Sequence, residues 1–265
     1  MVHRHDTWIG AILLASVAVF SACNASLGPL TARASDEWTR SYPLAADGEV
    51  QITNGNGSID VEGVEGAMVD VRAERIARAA TDAAARELLP RIQIKEDIAP
   101  NRVAIETERL SGIVIGVSIE VKYHVRVPQM ALVRSRTTNG EINASALAGR
   151  LVATTTNGAI TGRNLAGGID ARAVNGSVAI DLRSLGDDPV DLRTVNGTMQ
   201  LTLPATAKAN VTANCRNCAV DVSTIMLELI GEQRKTPTRV RGRLNGGGTP
   251  IELSTTNGPI RVAVR

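Results

Sequence analysis

The sequence predicts an all-β fold: a single-stranded β-helix, or solenoid-like stack, of coils about 18–21 residues long, with one short helix in its N-terminal part. Three observations predict it. The first is a recurring corner, Thr137-Thr138-Asn139-Gly140-Glu141-Ile142. It returns around Asn157-Gly158, Asn175-Gly176, Asn196-Gly197 and Asn257-Gly258, with an opening copy at Asn56-Gly57. The second is apolar alternation on both sides of each corner. The third is composition: aromatic residues are 2% of the 265-residue chain, so the core must be built from Val, Ile, Leu and Ala, which suits narrow layers between regular strands.

Residues 1–22 read as an export signal, with Arg4 ahead of an apolar run from Trp8 to Phe20 that is too short to span a bilayer comfortably. Ser21-Ala22-Cys23 resembles a bacterial lipobox, in which cleavage leaves a lipidated Cys23 as the new N-terminus, anchored to a membrane without crossing it. The alternative is cleavage after Ala34 and release of a soluble secreted or periplasmic protein. Residues 23–47 carry Gly28, Pro29, Pro43 and many small polar side chains, and read as a tether.

From Gly48 a β region runs to Pro128. Within it the stretch near 76–89 changes period: Ile76, Ala79, Ala80, Ala83, Ala84 and Leu88 recur at helical spacing, Thr81-Asp82 offers a cap, and Pro90 ends the run. Val117–Val127 then alternates strictly, as a half-buried strand closed by Pro128.

Residues 129–265 are the repeat array, continuous with 48–128 as one domain. Positions are counted here from the Asn of each corner. Position −6 holds Val50, Val133, Leu151, Ile169, Val190 and Ile251; position +3 holds Ile59, Ile142, Ile160, Val178, Met199 and Ile260. Positions −4 and +5 are also apolar or small, and those between are mostly polar. Each unit is therefore a strand, a corner and a second strand, with one buried face. Asn139, Asn157, Asn175 and Asn196 are spaced 18, 18 and 21 apart, and a further 21 reaches Asn217, a degenerate copy with Cys218 in place of Gly. Residues 223–248 do not align. A coil cannot bury its own apolar face, so coils stack. Asn-Gly fits the corner because the chain must turn there with positive φ, which Gly tolerates freely and Asn better than most, and stacked Asn side chains would hydrogen-bond along their column. The alternative is local: Asn-Gly between alternating strands is also a hairpin signal, giving an antiparallel β-sandwich.

With Tyr123–Pro128, the repeats from Asn139 on and the Gly246–Leu253 approach to the last one, the chain resembles the bacterial adhesin-like family of unknown function known as DUF4097 over roughly 48–265. The resemblance implies a β-solenoid on a cell-envelope protein and brings no catalytic residues. Asn217-Cys218, where Gly is missing, departs from the pattern.

Candidate chemistry is sparse. Cys215 and Cys218 flank the odd corner, and a disulfide between them suits an oxidising envelope compartment; free thiols are the alternative. Too few His and Cys residues remain for a zinc site, and no cofactor motif is present. Asp170, Asp191 and Glu252 share position −5, the arrangement of acidic residues that a polysaccharide-acting solenoid enzyme would need, but no basic or aromatic companion is evident beside them. His124 reads as a surface histidine without a nucleophile partner. The Thr residues at −2 and −1 suit β-structure beside a turn more simply than a ligand-facing array. A net charge of +2 without a basic stripe gives no sign of nucleic-acid binding. The expectation is a non-catalytic, lipid-anchored envelope protein acting as an adhesin or scaffold towards an envelope protein or glycan; the alternatives are a polysaccharide hydrolase or lyase and an envelope-sensing accessory protein.

Overall fold

In the computed structural model, which describes residues 30–108, 116–230, 235–236 and 238–265, corner sits on corner and the strands on either side form two long sheets that enclose a common core. The export signal, Cys23 and the first part of the tether lie outside the described residues. The N-terminal region supplies β1 (Ala32–Pro43), β2 (Glu49–Asn56), β3 (Ile59–Val64), β4 (Met68–Ala79), α1 (Asp82–Leu88), β5 (Ile94–Ala99), β6 (Arg102–Thr107) and β7 (Ser118–Pro128). β2 and β3 are the two strands of one coil. β6 and β7 form a second, paired in parallel with β2 and β3 respectively. β5 caps one sheet antiparallel to β6; β4 caps the other antiparallel to β7, and β1 lies beyond it, antiparallel to β4.

Two readings of this region are corrected. The stretch expected to be a tether to Asp47 is strand β1 from Ala32, paired with β4 over its whole length. Its polar composition is that of an edge strand: Arg33, Asp36, Glu37 and Ser41 bond Glu74, Arg75, Arg72 and Asp70 on β4, and charge on an edge discourages pairing with other chains. The helix is also shorter than its spacing suggested. Ile76 and Ala79 belong to β4, because pairing with both β1 and β7 holds this Ala-rich stretch extended against its propensity. The cap is where the sequence placed it: Thr81 Oγ1 accepts from the Ala84 amide.

The array follows as parallel coils: β8 (Leu132–Asn139) with β9 (Ile142–Ser145), β10 (Leu151–Asn157) with β11 (Ile160–Leu165), β12 (Ile169–Asn175) with β13 (Val178–Leu182), and β14 (Val190–Asn196) with β15 (Met199–Leu203). Register puts like positions opposite: Leu151 faces Val133 and Ile169, and Ile160 faces Ile142 and Val178. Position +3 is fully buried throughout, from Ile59 to Ile260. The largest core side chain is Tyr123, whose hydroxyl hydrogen-bonds Thr107.

The corners explain the repeat. Side-chain amides donate in one direction through the whole stack: Asn139 to Asn56, Asn157 to Asn139, Asn175 to Asn157, Asn196 to Asn175, Asn257 to Asn196 and Asn217 to Asn257, at 2.7–2.9 Å. Beneath the ladder, the buried position −2 hydroxyls of Thr137, Thr155 and Thr194 donate to the Gly57, Gly140 and Gly176 carbonyls of the neighbouring coil. The glycines serve mainly another purpose than positive φ. Gly57, Gly158 and Gly258 have it, whereas Gly140, Gly176 and Gly197 do not. What they share is contact: a Cβ on Gly176 would lie 1.8 Å from the Gly158 carbonyl oxygen, and one on Gly140, Gly158, Gly197 or Gly258 would lie 2.0–2.2 Å from the corresponding atom.

The C-terminal part does not simply continue the stack. It comprises β16 (Ala209–Cys215), β17 (Val220–Asp221), β18 (Leu227–Leu229), β19 (Lys235–Thr236), β20 (Arg239–Leu244), β21 (Thr249–Asn257) and β22 (Ile260–Val264). The Asn217 coil, β16 with β17, is outermost. The last coil in sequence, β21 with β22, enters between it and the Asn196 coil, bonded on both sides. β20 caps β16 antiparallel, with β18 and β19 beyond it. The degenerate copy at Asn217, 21 residues after Asn196 in sequence, is thus the neighbour of the Asn257 coil in space. Cys218 brings a Cβ to the position where the others have none, and the outermost place lets its corner open. The amide of Arg216 donates to the Thr255 carbonyl and that of Asn217 to the Thr256 carbonyl, instead of the regular Gly-to-Asn bond.

Gly176→Ala should lower stability by at least about 3 kcal/mol in urea denaturation, since the added carbon meets backbone, whereas Gly55→Ala, whose Cβ would meet nothing within 4 Å, should stay within about 0.5 kcal/mol of the parent. Asn175→Ala removes two ladder bonds and should cost about 1–2 kcal/mol. Burial pushes the Tyr123 hydroxyl up to about 12, and burial with a hydrogen bond to Glu96 raises Tyr42 also. A phenolate absorbance titration should therefore show neither of the two tyrosines ionising near the ordinary 10.0. The folded values lie above the unfolded one, so this contribution to stability is complete below pH 10 and is lost as pH rises through about 12.

Candidate functional site

Residues at −5 and −3 of adjacent coils stand side by side on the outer face of the sheet that contains β12, β14 and β21. Asp170, Asp191 and Glu252 are aligned in one row there, as the sequence placed them. They do have basic companions, contrary to the sequence reading. Arg172 and Arg193, two residues further along the same strands, hold them in a zigzag: Arg172 bonds Asp170 at 2.8 Å and reaches Asp191 at 3.9 Å, and Arg193 bonds Asp191 at 2.8 Å and reaches Glu252 at 3.7 Å. Carboxylates engaged in this way are neutralised partners of guanidinium groups.

The other sheet carries a more open feature. Its N-terminal half is crossed by two transverse rows of outward side chains. One runs Thr39, Arg72, His124, Asp60, Asn143 and Thr161, on β1, β4, β7, β3, β9 and β11. The next runs Ser41, Asp70, Arg126, Glu62, Ser145 and Arg163 on the same strands. Between them lies an open groove of about 480 Å³. Its centre is the Asp60 carboxylate: Oδ1 accepts from the Asn143 amide at 2.7 Å, and Oδ2 lies 3.2 Å from His124 Nδ1. His124 lines the groove beside this carboxylate, which orients its ring through Nδ1.

Among the described residues the charged groups of the groove are ion-paired except Arg163 and Asp70, whose carboxylate accepts from the Ser41 hydroxyl. Arg72 pairs with Glu37 at 2.9 Å, and Arg126 approaches Glu62 at 3.9 Å. Arg163 makes no ion pair among the described residues and stands exposed at the groove's end. The groove thus offers a free guanidinium, an oriented imidazole and several hydroxyls, which can bind by hydrogen bonds and charge. Among the described residues the side-chain partner of His124 is the Asp60 carboxylate.

The sequence missed this site. His124 was placed on the polar face of its strand, which is right, but its partner comes from the first Asn-Gly coil. Only the insertion of β7 beside β3 brings them together. The alternation of β7 revealed the face and not the neighbour.

Cys215 and Cys218 are brought to the odd corner, with Cα atoms 5.5 Å apart and sulfurs at bonding distance. Cys215 occupies the buried −2 column in place of Thr, its sulfur 4.0 Å from the Gly258 carbonyl. No grouping of His, Cys, Asp and Glu fit to hold a metal ion occurs among the described residues. The −1 column is exposed and mixed: Thr138, Thr156, Val174 and Val195. The Thr hydroxyls at −2 that bond glycine carbonyls are structural.

Similar architecture occurs in solved structures. A putative cell adhesion protein from Clostridium sporogenes superposes with a TM-score of 0.50 at 12% identity, over 88% of this chain and 100% of that one. The likeness is one of fold. A putative adhesin from Bacteroides fragilis aligns over 87% of this chain and 97% of that one, at 9% identity and a TM-score of 0.30. No family model and no curated protein matches the sequence.

Asp191→Asn should cost no more than about 1 kcal/mol, because its ion pairs are at the surface. The loss should shrink further in 0.5 M salt, about the concentration at which exposed pairs are screened. Urea denaturation at low and high salt measures both.

Proposed function

We propose that this chain is an exported, lipid-anchored protein of the bacterial cell envelope, a member of the DUF4097-like adhesins, and that it works by binding a partner rather than by catalysis. The observation that carries this reading is the polar groove around His124 and Asp60 on a two-sheeted solenoid, in which hydrogen-bonding and charged side chains are fixed in rows. The leader ending at Ser21-Ala22-Cys23 supports the location. The adhesion name attached to the Clostridium sporogenes protein of like fold supports the class. The partner we favour is an acidic envelope polymer. Rings for stacking neutral sugars are absent from the groove, so recognition rests on hydrogen bonds and charge, and the unpaired Arg163 supplies the positive end. The guanidinium-bound row of Asp170 and Asp191 speaks against the hydrolase or lyase alternative.

Two measurements test this. Cys23→Ser should move the protein from the membrane fraction to the soluble fraction and abolish palmitate labelling; unchanged fractionation would reject the anchor. Purified protein should retain carboxylate- or phosphate-bearing envelope polysaccharide in a salt-dependent manner. Arg163→Glu with His124→Ala should weaken that retention at least about tenfold, roughly 1.4 kcal/mol, whereas Asp170→Asn should leave it unchanged. Binding that ignores the groove variants, or polymer cleavage that depends on Asp170, would reject the proposal.

A further inference from the structure

The last coil in sequence is an insert. β21 pairs with β14 on one side and β16 on the other, and β22 lies between β15 and β17. The slot it fills is bounded by coils that are complete in sequence before it is reached. Only residues 245–248 connect it to β20, passing across the end of β16 to reach the far side of that strand. Three consecutive residues of this loop, Asn245, Gly246 and Gly247, have positive φ, which Gly adopts freely and Asn tolerates, and the Asn245 side-chain amide donates to the Ala205 and Ala207 carbonyls.

What the slot recognises is the repeat itself. It offers the backbone N–H of Gly197, which donates to the Asn257 carbonyl, the side-chain oxygen of Asn196 and the side-chain amide of Asn217 to whatever coil enters. Those groups would meet the same Thr-Thr-Asn-Gly-Pro-Ile segment equally well if it came from another molecule. We infer that two copies of this chain exchange their C-terminal coils, residues 249–264, each filling the other's slot to give a reciprocal dimer. Every ladder bond of the monomer is kept in the exchanged form, and only the bend at 245–248 changes. Exchange between folded molecules is slow, because both ladders must open at once, so the partner is chosen during folding. This inference stands independently of the groove and of its ligand.

The test uses full-length chains of two kinds, one Asp191→Cys and one Glu252→Cys. These positions are partners across β14 and β21, with both side chains on the outer face. A single chain carrying both changes should form an internal disulfide on mild oxidation, which verifies the register. Co-refolding the two single variants should give a covalent heterodimer whose yield rises with protein concentration. Neither variant refolded alone should give it, and nor should mixing the folded proteins. Removing Gly246 and Gly247, which shortens the bend, should raise the dimer fraction several-fold by light scattering. The inference is overturned if the double variant closes internally while co-refolding yields no heterodimer at any concentration. Failure of the double variant to close would overturn the placement of the coil itself.

Discussion

The distance between one corner and the next governs this molecule. Parallel strands lie about 4.8 Å apart, and at the corner the backbone of one coil comes so close to the next that no Cβ fits between them. That contact sets the registry of both sheets, because the corner joins them. It also brings each Asn amide within reach of its neighbour and each −2 hydroxyl within reach of a glycine carbonyl. Apolar burial then follows the same registry, stacking Ile on Val on Met along the core. An exception shows the rule: the coil carrying Cys218 is placed where only one face of its corner is packed against another coil.

Much of this was legible in advance. The stack, its positions and the Asn column could be read because each depends on local chemistry repeated in register. Order in space could not. Asn257 follows Asn217 in sequence and precedes it in the stack, since parallel pairing is nearly indifferent to which coil arrives when. Composition misled in two places, and each time tertiary pairing prevailed: the polar stretch from Ala32 to Pro43 is an edge strand, and the alanines from Ala77 to Ala79 lie in a sheet. The groove was illegible for a related reason. His124 and Asp60 are 64 residues apart, and neither carries a motif that announces the other.

The two outer faces do different things with the same kinds of residue. On one, Arg172 and Arg193 answer each carboxylate around them, which leaves a self-satisfied surface. On the other, the antiparallel strands β1 and β4 continue the sheet, and Asp60 is committed to Asn143 and His124. Arg163 is left over. A partner gains most where the protein has not already satisfied its own groups, which is why we propose the second face for recognition.

The asparagine column has one more property. Every amide in it points the same way, from Asn217 towards Asn56, with no reversal. Such a series is polar: its bond dipoles add, as those of peptide groups do along a helix. Among the described residues the ladder leaves an N–H over at Asn56 and a carbonyl oxygen over at Asn217, so the two ends of the column differ in electrostatic sign although the repeats between them are nearly alike. An anion approaching along the corner edge would be drawn to the end where Asn56 lies, and a cation to the end where the cysteines lie. A molecule built from near-identical units therefore has a direction.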